Sequence, residues 1–137
     1  MNNYNYYDPF NYTFINNDYD NRNNLYGAYE GYLKGNMFKN LYEQYKNFKP
    51  DTIKPNSEQE QDLFNLNQVM FAMHDLSLYL DVNPNDGEML KLFTKYKDMY
   101  NELCTNYERK YGPLNVNKTS NRTPFDWENQ KFPWEVR

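Results

Sequence analysis

Residues 57–114 constrain the fold of this chain most, because they encode two long helices joined by a tight turn. The turn is the run Asn83-Pro84-Asn85-Asp86-Gly87, whose residue types interrupt regular secondary structure. A connection this short favours antiparallel packing of the two helices. The sequence therefore predicts an all-α protein: a long antiparallel two-helix hairpin with extended aromatic-rich N- and C-terminal arms.

The first predicted helix has a defined start and two apolar faces. Ser57 and Glu60 fit a capping box, in which each side chain satisfies a backbone N–H group of the first turn. Apolar residues then recur every three or four positions, as on one face of a helix: Leu63, Leu66, Val69, Met70, Met73, Leu76 and Leu80. Phe64, Phe71 and Leu78 form a second row with seven-residue spacing. A helix with two apolar faces needs a second neighbour besides its hairpin partner.

The second predicted helix begins at the turn and ends at a Gly-Pro pair. Asn83 is predicted to cap it, with Pro84 at its first position, where a missing N–H is harmless. One apolar stripe follows: Met89, Phe93, Tyr96, Tyr100, Leu103, Tyr107 and Tyr111. Gly112 and Pro113 then end the helix. Because two helices form a small core, the arms or a partner are expected to add to it.

Three segments flank the hairpin of residues 57–114. Residues 1–25 form a low-complexity arm with nine Asn and five Tyr. Such a composition is typical both of a disordered tail and of an arm that orders against a neighbour, and both interpretations stay open. Residues 115–137 form a C-terminal arm with the only two Trp, Trp127 and Trp134, each two residues after a Phe. These rings are predicted either to fill pockets on another protein or to fold back on the hairpin.

Residues 26–56 form an aromatic, basic leader that is predicted to contain a short helix at about residues 37–47, capped by Asn36. The leader carries a net charge of +2 and the hairpin −5. A basic segment with interleaved aromatic residues can bind nucleic acid. However, the leader contains no Arg and its charge is small, so docking on the hairpin is the favoured interpretation.

Candidate catalytic and metal-binding residues are few. His74, the only His, precedes Asp75, but adjacent helical positions point about 100° apart and do not face each other. The single Cys104 cannot form an internal disulfide, and it is predicted to be buried and inert. The sequence therefore predicts no enzyme activity, no cofactor and no metal site. The net charge of −4 does not favour nucleic acid, and the sequence indicates neither a membrane span nor a secretory signal.

Several segments together resemble the spore coat protein CotJB family. They are residues 74–81, the Pro84-Asn85-Asp86 turn, residues 107–114 and the Trp-containing tail. Residues 31–42 resemble the leader of longer, clostridial-type members, so that the resemblance covers residues 26–137. Members often have Thr-His-Pro-Asp-Asp at the turn, where this chain has Val82-Asn83-Pro84-Asn85-Asp86. The tail often reads Trp-Pro-Trp, where this chain has Phe132-Pro133-Trp134. Neither departure removes the capping or the aromatic anchoring.

The resemblance implies a structural protein of the bacterial endospore coat, made in the mother-cell cytoplasm. It also implies a partner, a manganese-catalase-like coat protein that would hold the metal. A non-enzymatic assembly subunit fits this best. An assembly chaperone for that enzyme, absent from the mature coat, is the alternative, and a minor enzyme that uses His74 is a third. Self-association and cross-linking of Tyr residues are compatible with the subunit role.

The residues predicted to form the protein interface are large apolar side chains from the leader, the second row of the first helix and the C-terminal arm. They are Tyr26, Tyr29, Phe38, Tyr42, Phe64, Phe71, Leu78, Trp127 and Trp134.

Overall fold

The computed structural model describes residues 24–41 and 46–128. Three α-helices lie in this part of the chain: α1 (Ala28–Lys34), α2 (Glu58–Val82) and α3 (Gly87–Tyr111). A short 3-10 helix, Val116–Lys118, follows α3. Residues 24–41 and 46–128 contain no strand, only an isolated antiparallel bridge between Leu25 and Phe38. The predicted all-α hairpin is confirmed, whereas residues 1–23 and 129–137 of the two arms lie outside the described residues.

The core of the hairpin lies between α2 and α3. Each helix has 25 residues, and at 1.5 Å per residue each is about 37 Å long. Val69 and Leu76 of α2 and Leu92 and Tyr96 of α3 are at most 1% exposed. Burial of such side chains contributes on the order of 1.5–3 kcal/mol each. Met70, which was placed on the core stripe, is instead 44% exposed, because it points about 100° away from Val69.

The two long helices begin at side-chain caps. At α2, the Ser57 hydroxyl accepts a hydrogen bond from the Glu60 N–H at 3.1 Å, as predicted. The Glu60 carboxylate accepts from the Asn56 N–H, not from Ser57. At α3, the cap is Asp86, whose Oδ1 accepts from the Met89 N–H at 3.1 Å.

The prediction that Asn83 caps α3 is wrong, because Asn83 ends α2. Both its backbone N–H and its side-chain amide donate to the Tyr79 carbonyl, at 2.9 and 3.2 Å. The Tyr79 hydroxyl in turn donates to Asp86 Oδ2 at 3.0 Å. The turn is therefore tied to both helices at its two ends.

The short helix of the leader is α1, and the prediction of a helix at residues 37–47 is wrong for the described residues 37–41 and 46–47. Asn36 holds a tight turn instead of a helix cap. Its Oδ1 accepts from the Phe38 N–H at 2.8 Å and its Nδ2 donates to the Phe38 carbonyl at 2.6 Å. Gly35, with φ of 71°, ends α1 in the left-handed conformation that glycine adopts without strain.

A charged cluster closes the open end of the hairpin. Lys110 Nζ lies 3.0 Å from Glu58 Oε1 and 2.9 Å from Asp62 Oδ2. The Tyr111 hydroxyl donates to the same Asp62 oxygen at 3.0 Å. Hydrogen bonds to Asp62 and Glu58 raise the pKa of Lys110, and burial followed by the bond to Asp62 raises the pKa of Tyr111.

The hairpin is expected to lose stability at alkaline pH. The pKa of Tyr79 is raised, chiefly by its bond to Asp86, in the same direction as those of Lys110 and Tyr111. Groups whose pKa is raised by folding stabilise fully below the unfolded pKa, about 10 for Tyr and Lys, and lose this as pH rises further. The melting temperature should be level from about pH 7 to about pH 9 and fall above about pH 10. Tyr79→Phe/Tyr111→Phe should reduce the slope, and a level profile up to about pH 11 would contradict this account.

Candidate protein interface

The leader packs on the second apolar row of α2. The ring of Tyr29 meets Phe64 edge-on, with centroids 6.0 Å apart. The ring of Tyr32 lies between two rings of that row, 5.7 Å from Phe64 and 6.0 Å from Phe71. Phe64 is only 5% exposed as a result. The second neighbour that this row requires is thus supplied by the chain itself.

A hydrogen bond and a stacked ring pair fix the far end of the leader. The Met37 N–H donates to Asp75 Oδ2 at 2.9 Å. The next ring, Phe38, stacks on Tyr79 with centroids 4.9 Å apart. Met37 is fully buried and Leu25 is 1% exposed beneath this contact. We call the α2 surface that the leader covers the leader docking face, and its residues are Phe64, Phe71, Asp75 and Tyr79.

Two lysines of the leader pack on one of its own rings. Lys34 Nζ lies 4.1 Å from the ring centroid of Tyr26, and Lys39 Nζ lies 5.5 Å from it. Such contacts are attractive because the ring face is electronegative. Lys34 also pairs with Glu30 at 2.8 Å, and hydrogen bonding to Glu30 is the main reason that the pKa of Lys34 is raised. Lys34 and Lys39 therefore contribute to packing within the leader.

The Asp75→Ala variant is expected to loosen the leader without unfolding the hairpin. Removal of the carboxylate leaves the buried Met37 N–H without its acceptor, which costs about 1–3 kcal/mol. Hydrogen exchange of the Met37 amide should accelerate by on the order of tenfold or more. Asp81→Ala, an exposed position on the same helix, is the matched control. Equal exchange in both variants would contradict the assigned role of Asp75.

Apolar side chains remain exposed beyond the leader docking face. Leu78 is 51% exposed and Val82 is 80% exposed on the last turns of α2. Residues four apart on a helix are surface neighbours, so the two form one patch. We call this patch the turn-end strip. Contiguous exposed apolar surface is a candidate contact site when its area is large.

The C-terminal segment presents another apolar site. Phe125 is 49% exposed and Trp127 is half-buried. Between them, Asp126 Oδ2 accepts from the Ser120 N–H at 2.9 Å, and this bond is the main reason that the pKa of Asp126 is lowered. The bond folds the segment back on itself and holds the two aromatic residues on a turn.

The predicted interface residues thus have different surroundings. Tyr26, Phe38 and Phe64 are buried, Tyr29, Phe71 and Trp127 are half-buried, and Leu78 is exposed. Tyr42 and Trp134 lie outside the described residues. Contacts within the chain bring together the leader residues and the second row of α2. Whether any of the nine also contacts another protein stays a prediction.

His74 and Asp75 have different surroundings. The His74 side chain is exposed, whereas Asp75 faces the leader. Cys104 is half-buried, and burial, with a smaller effect of Glu108, raises the pKa of its thiol. A raised pKa disfavours the reactive thiolate at neutral pH.

In the part of the chain that the structure describes, residues 24–41 and 46–128, no group of three His, Cys, Asp or Glu side chains is placed to hold a metal ion. None of its helices combines the length and the apolar character that a membrane span requires.

Asp75 binds the leader, and the sequence analysis did not predict this contact. There, Asp75 entered only as the neighbour of His74. On a helical wheel, however, it lies on the same side as Phe71 and Leu78. A carboxylate within an apolar row needs a hydrogen-bonding partner when it is covered, and this was the available signal.

The family model described as CotJB protein matches residues 60–135, more than half of the chain. The match takes in nearly all of α2, all of α3 and the C-terminal segment, whereas the leader lies before it. No curated protein and no solved structure gives a significant match.

Proposed function

The chain belongs to the CotJB family of spore coat proteins, and on this premise we propose that it is a non-enzymatic structural subunit of the bacterial endospore coat. The family match carries this proposal. The geometry supports it, because a hairpin that is packed by its own leader still leaves the Phe125 side chain of the C-terminal segment 49% exposed. The chain is made in the mother-cell cytoplasm and then deposited in the coat.

The partner in this proposal is a manganese-catalase-like coat protein, which holds the metal itself. The C-terminal arm makes the main contact, with Phe125, Trp127 and Trp134 as anchors. Aromatic anchors in pockets supply much of the binding energy of protein interfaces. Phe64 and Phe71 already contact Tyr32 of the leader, so in this proposal they hold the leader on α2 and do not contact the partner. Self-association through the same exposed surfaces is compatible with a coat.

Light scattering after size exclusion tests this proposal. The chain is analysed alone and after co-expression with its catalase-like neighbour. The proposed subunit should form a complex of fixed stoichiometry that survives dilution over the range of the experiment. Elution of the two proteins as separate species at every concentration would overturn the proposed partnership.

The C-terminal anchors give a specific prediction. Phe125→Ala/Trp127→Ala should weaken the complex by about 30-fold or more, because interface hot spots contribute about 2 kcal/mol or more each. The melting temperature of the chain should change little, since neither Phe125 nor Trp127 belongs to the hydrophobic core. Leu90→Ala, at an apolar position of α3 that is 50% exposed, is the matched control. Equal dissociation constants for both variants in a binding titration would show that the anchors lie elsewhere.

A further inference from the structure

The turn-end strip begins where the leader docking face ends. The leader covers α2 as far as Tyr79, on which Phe38 stacks. Leu78 and Val82 are one residue before and three residues after Tyr79, and they are 51% and 80% exposed. The strip therefore continues the leader docking face towards the turn, beyond the last leader contact at Tyr79.

The N-terminal part of the chain enters the described structure beside Phe38, the ring that stacks on Tyr79. The Lys39 N–H donates to the Asn24 carbonyl at 2.9 Å, and the Tyr26 N–H donates to the Met37 carbonyl at 2.8 Å. These bonds hold the entering chain against Phe38, and hence next to Tyr79. Leu41, two residues beyond the Lys39 partner of Asn24, is also exposed, at 58%. Twenty-three residues precede Asn24.

We propose that residues 1–23 dock on the turn-end strip of the same chain. The run Phe10-Asn11-Tyr12-Thr13-Phe14-Ile15 supplies apolar side chains of the kind that the strip requires. Ten residues span at most about 33–36 Å, and Asn24 adjoins the bridge between Leu25 and Phe38, so this run has the length to reach the last turns of α2. A tethered segment has an effective concentration of about millimolar, an advantage that a second copy or another protein lacks. The contact goes beyond the proposed coat function, because it places Leu78 in an intramolecular contact.

Photo-cross-linking tests the occupant of the strip. The probe is p-benzoylphenylalanine in place of Val82 in the full chain, a position exposed enough to accept it. After irradiation, mass spectrometry should identify cross-links from position 82 to peptides within residues 1–23. The same probe in place of Leu90, at 50% exposure on α3, should give these cross-links at least about fivefold less often.

Isotope mixing separates contacts within one chain from contacts between chains. Heavy and light chains are mixed in equal amounts before irradiation, and the proposal predicts cross-links only between peptides of the same isotope. Mixed-isotope cross-links would identify a second copy as the occupant and overturn the proposal. Cross-links from position 82 only to other segments, such as residues 129–137, or none at all, would overturn it as well.

Discussion

The Tyr96→Ala variant is expected to lower the free energy of unfolding of the hairpin by about 3–5 kcal/mol. Tyr96 is 1% exposed and is the largest fully buried side chain among the described residues. Truncation of a buried aromatic ring loses its transfer free energy and leaves a cavity between α2 and α3. Since small domains have only about 5–15 kcal/mol of stability, this loss would be a large fraction of the total free energy of unfolding. Urea denaturation followed by far-UV circular dichroism measures the change.

Leu90→Ala is the control for this prediction, because Leu90 lies on the same helix but is 50% exposed. A surface truncation of this kind should change the free energy of unfolding by less than about 0.5 kcal/mol. Similar losses in the two variants would mean that the packing of α3 on α2 has been assigned to the wrong face.

The Gly31→Ala variant is expected to release the leader from its docking face. Gly31 lies in α1, where replacement of Gly by Ala would ordinarily stabilise by about 0.5–1 kcal/mol. Here the new Cβ would overlap Met37 Sδ and lie 3.3 Å from the Asn36 carbonyl oxygen. Met37 is fully buried, so a shift of its side chain requires its core neighbours to move, and the overpacking should cost about 1–3 kcal/mol. Limited proteolysis at the lysines of the leader should become faster by on the order of tenfold.

Gly87→Ala is the matched control, because a Cβ at this first residue of α3 meets nothing within 4 Å. This variant should leave both the proteolysis rate and the melting temperature close to those of the parent chain. Slower proteolysis of the leader in Gly31→Ala would mean that the gain in helix propensity outweighs the overlap with Met37. That result would refute the tight packing of Gly31 against Met37.

The hairpin could be predicted from the sequence because its signals are local. Apolar spacing of three and four marked Val69, Leu76 and Tyr96 as core, and Ser57 capped α2 as expected. Leu92 was missed because the stripe was drawn through Phe93. The two side chains lie on opposite sides of Tyr96, and only packing on α2 decides that Leu92 is buried and Phe93 half-buried. The cap of α3 was misplaced because Asn83 and Asp86 are both good caps, and local preference does not choose between them.

The position of the leader helix could not be predicted, because long-range contacts decide it. Asn36 is a plausible cap, yet Met37 is drawn into a bond with Asp75, 38 residues away in the chain. The second row of α2 correctly indicated a second neighbour for Phe64 and Phe71. Nothing in the periodicity said whether that neighbour would be the leader or another protein.

The amount of this chain in purified mature spores tests the central claim most directly. Quantitative mass spectrometry of coat extracts would compare it with the catalase-like coat protein, using mother-cell lysates as the reference. A structural subunit should be retained in the mature coat at near-equal amounts with the enzyme. If the chain were abundant in the mother cell but absent from the mature coat, it would be an assembly chaperone, and the account of a coat subunit would be contradicted.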